Sequence, residues 1–197
     1  MNLQSFQSEE EWIKAALDLI KKTKPKTIAL SGGTTPKAIY SAMEDNAEFF
    51  QVDERYVPKN HPDSNYKLIT ETLAPQNFHY FDTSLPIPEA LTKYEQELPD
   101  SFDLCILGIG PDGHTASLFP GQRPRGKVAH THTKQFKIPD RLTITFAQIL
   151  ASKTLFILLR NKPEIVAELT NPTNSPSDFP ALRLLTHPNL TLLSLQN

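Results

Sequence analysis

The chain has 197 residues, 39% of them hydrophobic and 21% charged, which suits one globular domain with a sizeable core. A formal net charge of −2 excludes a broad basic footprint for nucleic acid, and no apolar run approaches the roughly 20 residues that would span a membrane. The single cysteine, Cys105, excludes an internal disulfide, and the acidic opening MNLQSFQSEEEW lacks the basic and apolar regions of a secretory signal, so a cytoplasmic protein is expected.

Ser8 followed by Glu11 has the spacing of a capping box. Trp12, Ile13, Ala16, Leu17 and Ile20 then recur at helical spacing and predict a helix over 9–22. Residues 27–30 predict a short buried strand. Thr35-Pro36 offers a cap and a proline at the first helical position, opening a helix to Met43. A strand is expected at 49–52, a helix capped by Ser64 and carrying Tyr66, Leu68, Ile69 and Leu73, a strand at 78–81 and a helix at 89–97. The apolar run 102–107 predicts the strand that feeds the glycine-rich stretch GIGPDGHTASLFPG at 108–121. Beyond it, strands near 142–146, 154–159 and 190–195 alternate with helices near 147–152, 163–170 and 180–185. Seventeen prolines punctuate these short elements. Asn171 to Asp178 reads as a turn-rich loop within one domain spanning 1–197, and no internal repeat is present.

Alternating strands and helices predict an α/β fold: a single-domain, Rossmann-like, mostly parallel sheet flanked by helices. Ligands of such sheets bind beyond the carboxyl ends of the strands. Three polar segments follow directly on predicted strands, and so share one rim. The first, Ser31-Gly32-Gly33-Thr34-Thr35, has glycines that let backbone N–H groups approach an anion, hydroxyls that add donors, and a helix start behind it. It is neither a Walker A loop nor G-x-G-x-x-G, so nucleotide binding is not indicated. Taken alone it reads first as an ordinary turn with Thr35 as helix cap. The second, Asp53-Glu54-Arg55, reads in isolation as a solvated charged loop; on this rim Arg55 becomes an anion contact and Asp53 its polar partner. The third places Asp112 two residues before His114, where a carboxylate fixes the tautomer of an imidazole suited to proton transfer near neutral pH.

His130 and His132 form an H-x-H pair, but no cysteine or acidic cluster accompanies them, so no metal and no cofactor are expected. Arg123, Arg125 and Lys127 form a basic run that reads as a solvated loop or a lid adding positive potential. Ser117 lies close to His114 but outside any G-x-S-x-G elbow. Cys105 reads as an inert core residue.

The string GIGPDGHTASLFPG resembles the signature loop of the 6-phosphogluconolactonases, and its G-x-G-x-D-G-H core is shared with the related glucosamine-6-phosphate deaminases. Leu30–Pro36, Asp53–Pro58 with Asp63-Ser64-Asn65-Tyr66, Pro139–Thr145 and Lys162 resemble further blocks of the same family, in its order, over about residues 28–170. The resemblance implies hydrolysis of 6-phospho-D-glucono-1,5-lactone to 6-phosphogluconate, with a small sugar phosphate as partner and neither nucleic acid nor membrane. It implies that His114 activates water, Asp112 orients His114, and Arg55 lies near the substrate with Asp53. Ser31, Gly32, Gly33, Thr34, Thr35, Gly110 and Gly113 would bind substrate, and Arg141 and Lys162 would hold its phosphate. Asn65 belongs to a matching block but reads equally as a turn residue.

The chain departs from the family in three places. Leu159-Arg160-Asn161 replaces the usual glycine before Lys162, which makes Arg160 a candidate substitute cation. The stretch between Tyr40 and Phe49 is compressed, and Ser194–Asn197 lacks the usual terminal acid and helix, which bears on peripheral packing and oligomeric state; a monomer or weak homodimer is the expectation. A deaminase is the first rival reading, disfavoured because Ala116–Pro120 lacks the acid of its A-F-N-E-P-type string and Asp53-Glu54-Arg55 stands where deaminases carry D-E-Y. A non-catalytic sugar-phosphate-binding module is the second, and it would have no use for both Asp112 and His114.

Overall fold

The strands of the central sheet are short apolar runs because both of their faces are buried. In the computed structural model, which describes residues 1–44 and 46–196, β2 (Thr27–Leu30), β6 (Leu104–Leu107) and β9 (Leu155–Arg160) form its centre. Side chains alternate along them with the period of two that a strand imposes. Ile28, Leu30, Leu104, Ile106, Phe156 and Leu158 face a core built with Trp12 and Ala16 of α1 (Glu9–Thr23), Ile39 and Tyr40 of α2 (Lys37–Tyr40) and Ile69 of α3 (Asn65–Thr72). Ala29, Cys105, Leu107, Ile157 and Leu159 face the other core, covered by α4 (Ile87–Glu97), α5 (Phe146–Leu150), α6 (Pro163–Thr170) and a 3₁₀ helix over Pro180–Thr186. Cys105 sits within this core, and burial pushes its thiol up.

Seven strands make the main sheet, in the order β1-β10-β9-β6-β2-β3-β5, with every neighbouring pair parallel. Here β1 is Asn2–Phe6, β3 is Glu48–Gln51, β5 is Phe78–His79 and β10 is Leu190–Leu195. The chain passes from β2 outward through β3 to β5, then returns to lay β6 on the opposite side of β2. That reversal opens a crevice beyond the carboxyl ends of β2 and β6. A second sheet of three antiparallel strands, β4 (Asp53–Arg55), β8 (Asp140–Ile144) and β7 (Val128–His132), stands over this rim.

The α/β architecture and most elements match the sequence expectation, and Ser8 and Ser64 accept hydrogen bonds from Glu11 N and Lys67 N at the starts of α1 and α3. Strands β1 and β7 were not expected, and four expectations are corrected. Asp53–Arg55 is a strand paired with β8, not a loop. The 142–146 strand begins at Asp140 and belongs to the small sheet. The helix expected from Thr35 to Met43 is one turn, with Pro36 at its cap position and no side-chain cap bond from Thr35. The 180–185 segment is 3₁₀ rather than α.

Candidate active site

The loop after β2 is pinned from below before it reaches the cavity. Ser31 N donates to Ile106 O at 3.1 Å and the buried Tyr40 hydroxyl donates to Ser31 O at 3.0 Å. Gly33 has φ +88, a left-handed conformation that a glycine accepts without a Cβ penalty. Ser31 to Thr35 line a cavity of about 260 Å³ at the crevice.

Across the crevice, the loop after β6 folds back on itself through Gly110 N to His114 O (2.8 Å) and Gly113 N to Gly110 O (3.0 Å). Asp112 Oδ1 accepts from His114 N at 3.2 Å and also meets His114 Nδ1. With Nδ1 occupied, Nε2 is the nitrogen left to act in the cavity that His114 lines. A Cβ on Gly110 would fall 2.0 Å from Cε1 of His114, so the ring lies against a position that only glycine can occupy. Phe119 (5.2 Å) and the edge-on Phe136 (5.5 Å) complete the surroundings of the imidazole. Burial pushes the Asp112 carboxyl up, but the hydrogen bond and charge of His114 outweigh it and hold the group below the ordinary carboxylate range.

The small sheet delivers two arginines side by side, since Arg55 on β4 pairs in register with Arg141 on β8. Arg55 donates to Asp63 O; Arg141 donates through Nε to Ile138 O at 3.0 Å and lies over the Phe136 ring at 5.5 Å. Lys162 enters from the start of α6, after Asn161 at φ +53, and donates to Ile109 O. Asparagine tolerates that left-handed position, which accounts for the loss of the glycine the family resemblance led one to expect. Burial pulls both Arg141 and Lys162 down, and the neighbouring Arg55 charge adds to the effect on Arg141. Arg141 and Lys162, desolvated and gathered with Arg55 at one cavity, form a site that an anion would relieve.

Asp53 lies on the same wall, its Oδ2 accepting from Ser117 Oγ at 2.7 Å. Its neighbour Glu54 turns inward instead. The Glu54 carboxylate accepts from Gln51 Nε2, Arg55 N, Ser64 Oγ, Asn65 N and Tyr66 N at 2.7–3.0 Å, fastening the start of α3 to β4. Burial pushes this carboxyl up, against the pull of those donors.

Of the residues expected from sequence, Ser31, Gly32, Gly33, Thr34, Thr35, Asp53, Arg55, Gly110, His114, Arg141 and Lys162 all line the one cavity. Asp112 does not; it stands behind His114. Gly113 is also not on the wall, and a Cβ there would meet the Phe179 ring at 2.4 Å. Arg160 does not line the cavity and pairs with Glu9 at 2.8 Å. His130 and His132 both hydrogen-bond Asp140 Oδ1, at 2.8 and 3.0 Å, and among the described residues no cluster of His, Cys, Asp and Glu is arranged to hold a metal ion. Arg123, Arg125 and Lys127 are not on the cavity wall, and Lys127 pairs with Asp100 at 2.9 Å. Phe119, Phe136 and Asn65 are on the wall without having been assigned there. Gly32 was the available signal for Asn65, since a Cβ at residue 32 would collide with its amide.

Comparison with known proteins gives the family and the fold. The family model described as glucosamine-6-phosphate isomerases/6-phosphogluconolactonase matches residues 5–192. The 6-phosphogluconolactonase of Thermotoga maritima is 36% identical over 86% of this chain and 86% of its own. A probable 6-phosphogluconolactonase of Dictyostelium discoideum is 34% identical over 92% and 90%. A crystal structure of 6-phosphogluconolactonase from Thermotoga maritima superimposes with a TM-score of 0.86, covering 100% of this chain and 99% of that one. A monomeric glucosamine-6-phosphate deaminase shares the fold, at TM-score 0.85 and 22% identity over 98% and 97% of the two chains. With the match running through every segment that lines the crevice, the chain belongs to the glucosamine-6-phosphate isomerase/6-phosphogluconolactonase family.

Proposed function

We propose that the protein hydrolyses 6-phospho-D-glucono-1,5-lactone to 6-phosphogluconate in the oxidative pentose phosphate pathway. The observation that carries this reading is the Asp112–His114 pair standing over a cavity that also gathers Arg55, Arg141 and Lys162. His114 Nε2 takes a proton from water as its oxygen attacks the lactone carbonyl carbon. The tetrahedral intermediate collapses with cleavage of the bond to the ring oxygen, and His114 returns the proton to that oxygen. Asp112 holds the imidazole in the required tautomer and stabilises its charged form. Backbone N–H groups of the glycine-rich loop, with Arg55, stabilise the developing oxyanion, where one donor is commonly worth about 3–4 kcal/mol. Arg141 and Lys162 hold the phosphate and so orient the ring.

The deaminase reading is weaker on a specific ground. Ala116 and Ser117 occupy the wall where that chemistry calls for an additional acid, and Asp53 is the sole carboxylate lining the cavity among the described residues. No helix among the described residues is long and apolar enough to cross a membrane. We take the enzyme to act in the cytoplasm as one catalytic domain, a monomer or weak homodimer.

The test is lactone disappearance measured against the spontaneous rate. Wild type should accelerate it, with His114→Ala losing about 10²–10⁴-fold and Asp112→Asn losing a substantial part of that with little change in KM. An enzyme that binds 6-phosphogluconate without accelerating lactone loss would be a binding module instead, and release of ammonia from glucosamine 6-phosphate would make it a deaminase.

A further inference from the structure

We infer that Ser117 is a positioning residue for this reaction: it locks the loop that carries His114 onto the sheet that carries Arg55 and Arg141, and so sets the separation between the base and the cations. The inference rests on the lactonase reading above. Ser117 is 1% exposed and lies three residues after His114. Its three polar groups all engage the small sheet, one on each strand. Oγ donates to Asp53 Oδ2 of β4 at 2.7 Å, the N–H donates to Thr143 Oγ1 of β8 at 3.3 Å, and the carbonyl accepts from Thr131 Oγ1 of β7 at 2.8 Å.

These partners are not scattered over the sheet. Asp53 pairs in register with Thr143, while Arg55 pairs with Arg141 and Arg141 with Thr131. Register partners share a face, and so do residues two apart on one strand. Asp53, Arg55, Thr131, Arg141 and Thr143 therefore project from one face, and Ser117 is docked on the face that presents both arginines. The segment leading to Ser117 is fixed at its other end to the loop after β6. Thr115 Oγ1 donates to Gly108 O at 3.0 Å, and Gly110 N donates to His114 O at 2.8 Å. Between the two ends the chain turns tightly, with Leu118 N donating to Thr115 O at 3.0 Å and Ala116 at φ +53. A left-handed alanine is disfavoured and persists only where its surroundings over-determine it. The three bonds of the next residue supply that constraint.

The proposed substrate bridges the joint. Its phosphate calls for the cations on the small sheet, and its carbonyl calls for His114 on the loop from the main sheet. A reaction that needs both ends held at once loses rate when their separation drifts, by about 100-fold for a misplacement of roughly 1 Å. Binding suffers less, because each end still finds its partner.

The test compares kcat and KM on 6-phosphogluconolactone, the Kd of 6-phosphogluconate and the thermal melt for wild type, Ser117→Ala, Thr131→Val and the double variant. Ser117→Ala removes the bond to Asp53, and Thr131→Val removes the bond to the Ser117 carbonyl with little change of shape. Ser117→Ala should lower kcat about 10- to 100-fold while KM and Kd move less than about 3-fold, and Thr131→Val should lower kcat in the same way. The double variant should fall less than about 3-fold below Ser117→Ala, since both changes act on one joint. A kcat for Ser117→Ala within about 2-fold of wild type would overturn the inference. So would KM and Kd rising in step with the fall in kcat, the mark of a site that has merely loosened. If Ser117→Ala does not fold, Thr131→Val is judged by the same split between kcat and KM. Wild-type acceleration of lactone loss is the control: its absence removes the lactonase reading together with this inference, whereas its presence with a kcat indifferent to Ser117 and Thr131 removes only the positioning role.

Discussion

Lys162 shows how burial sets the working range of a phosphate contact. Withdrawal from water favours its neutral form, so its ammonium loses a proton at lower pH than an exposed lysine does. Charge at this position is therefore present at neutral and low pH and is lost as pH rises. KM for the lactone should climb on the alkaline side before the ordinary lysine range is reached, with kcat less affected. Lys162→Arg, which keeps its charge, should flatten that rise; a KM profile unchanged by the arginine would show that another group titrates. At this scale the sequence was legible where chemistry is contiguous. Asp112 and His114 sit two apart in one loop, and their hydrogen bond is a local event. Asn65 and Phe136 were not legible as wall residues, because the position of one depends on the Gly32 backbone, 33 residues away, and that of the other on the curl of a hairpin tip. Phe136 stands between Gln135 and Lys137 in a stretch with nothing apolar beside it but Ile138.

The short elements of the rim carry more of the site than the long helices do. β4 is three residues, DER, and its middle residue, Glu54, is a buried hub whose carboxylate accepts five hydrogen bonds. Removing that carboxylate strands the first N–H groups of α3 and Ser64 in a dry interior. Glu54→Ala should therefore cost about 2–4 kcal/mol of stability, read from urea denaturation, although the residue does not line the cavity. The β7–β8 hairpin carries the opposite case. Phe136 at its tip is 37% exposed, yet it meets both the His114 ring and the Arg141 guanidinium. Phe136→Ala should leave stability within about 0.5 kcal/mol of wild type and raise KM about 5- to 10-fold, since a stacked arginine is worth roughly 1 kcal/mol. Steady-state kinetics beside a thermal melt would check both halves of that expectation. Of the small sheet only β8 was read from sequence, because β4 (DER) and β7 (VAHTH) are three and five residues long and too short to show a period. β1, NLQSF, hides for a related reason: an edge strand half open to water needs no apolar run.

Across the whole molecule, a net charge of −2 coexists with a crevice that collects three cations, so the field that matters is local rather than global. The α/β class followed from alternating elements, and the shared rim from the strand ends. The order of the strands did not, because short strands of similar composition carry no mark of their neighbours; the reversal between β2 and β6 is visible only in the fold. A ligand that draws five separated segments together should stabilise the chain as a unit. At 100 times its Kd, 6-phosphogluconate should add about 2.7 kcal/mol, and Arg141→Ala at the same ligand concentration should lose much of that gain in a thermal melt. The pairing of β1 with β10 bears in turn on biosynthesis. Asn2–Phe6 lies beside Thr191–Leu195, and the Trp12 indole N–H donates to Leu193 O in that same strand. β1 and the inner face of α1 are made long before the strand that receives them, so a nascent chain carries an unseated Trp12 through most of its synthesis. A premature stop upstream of Leu190 would yield a chain whose first helix has lost its seat, and such a product is a substrate for chaperones and proteases rather than a shorter enzyme.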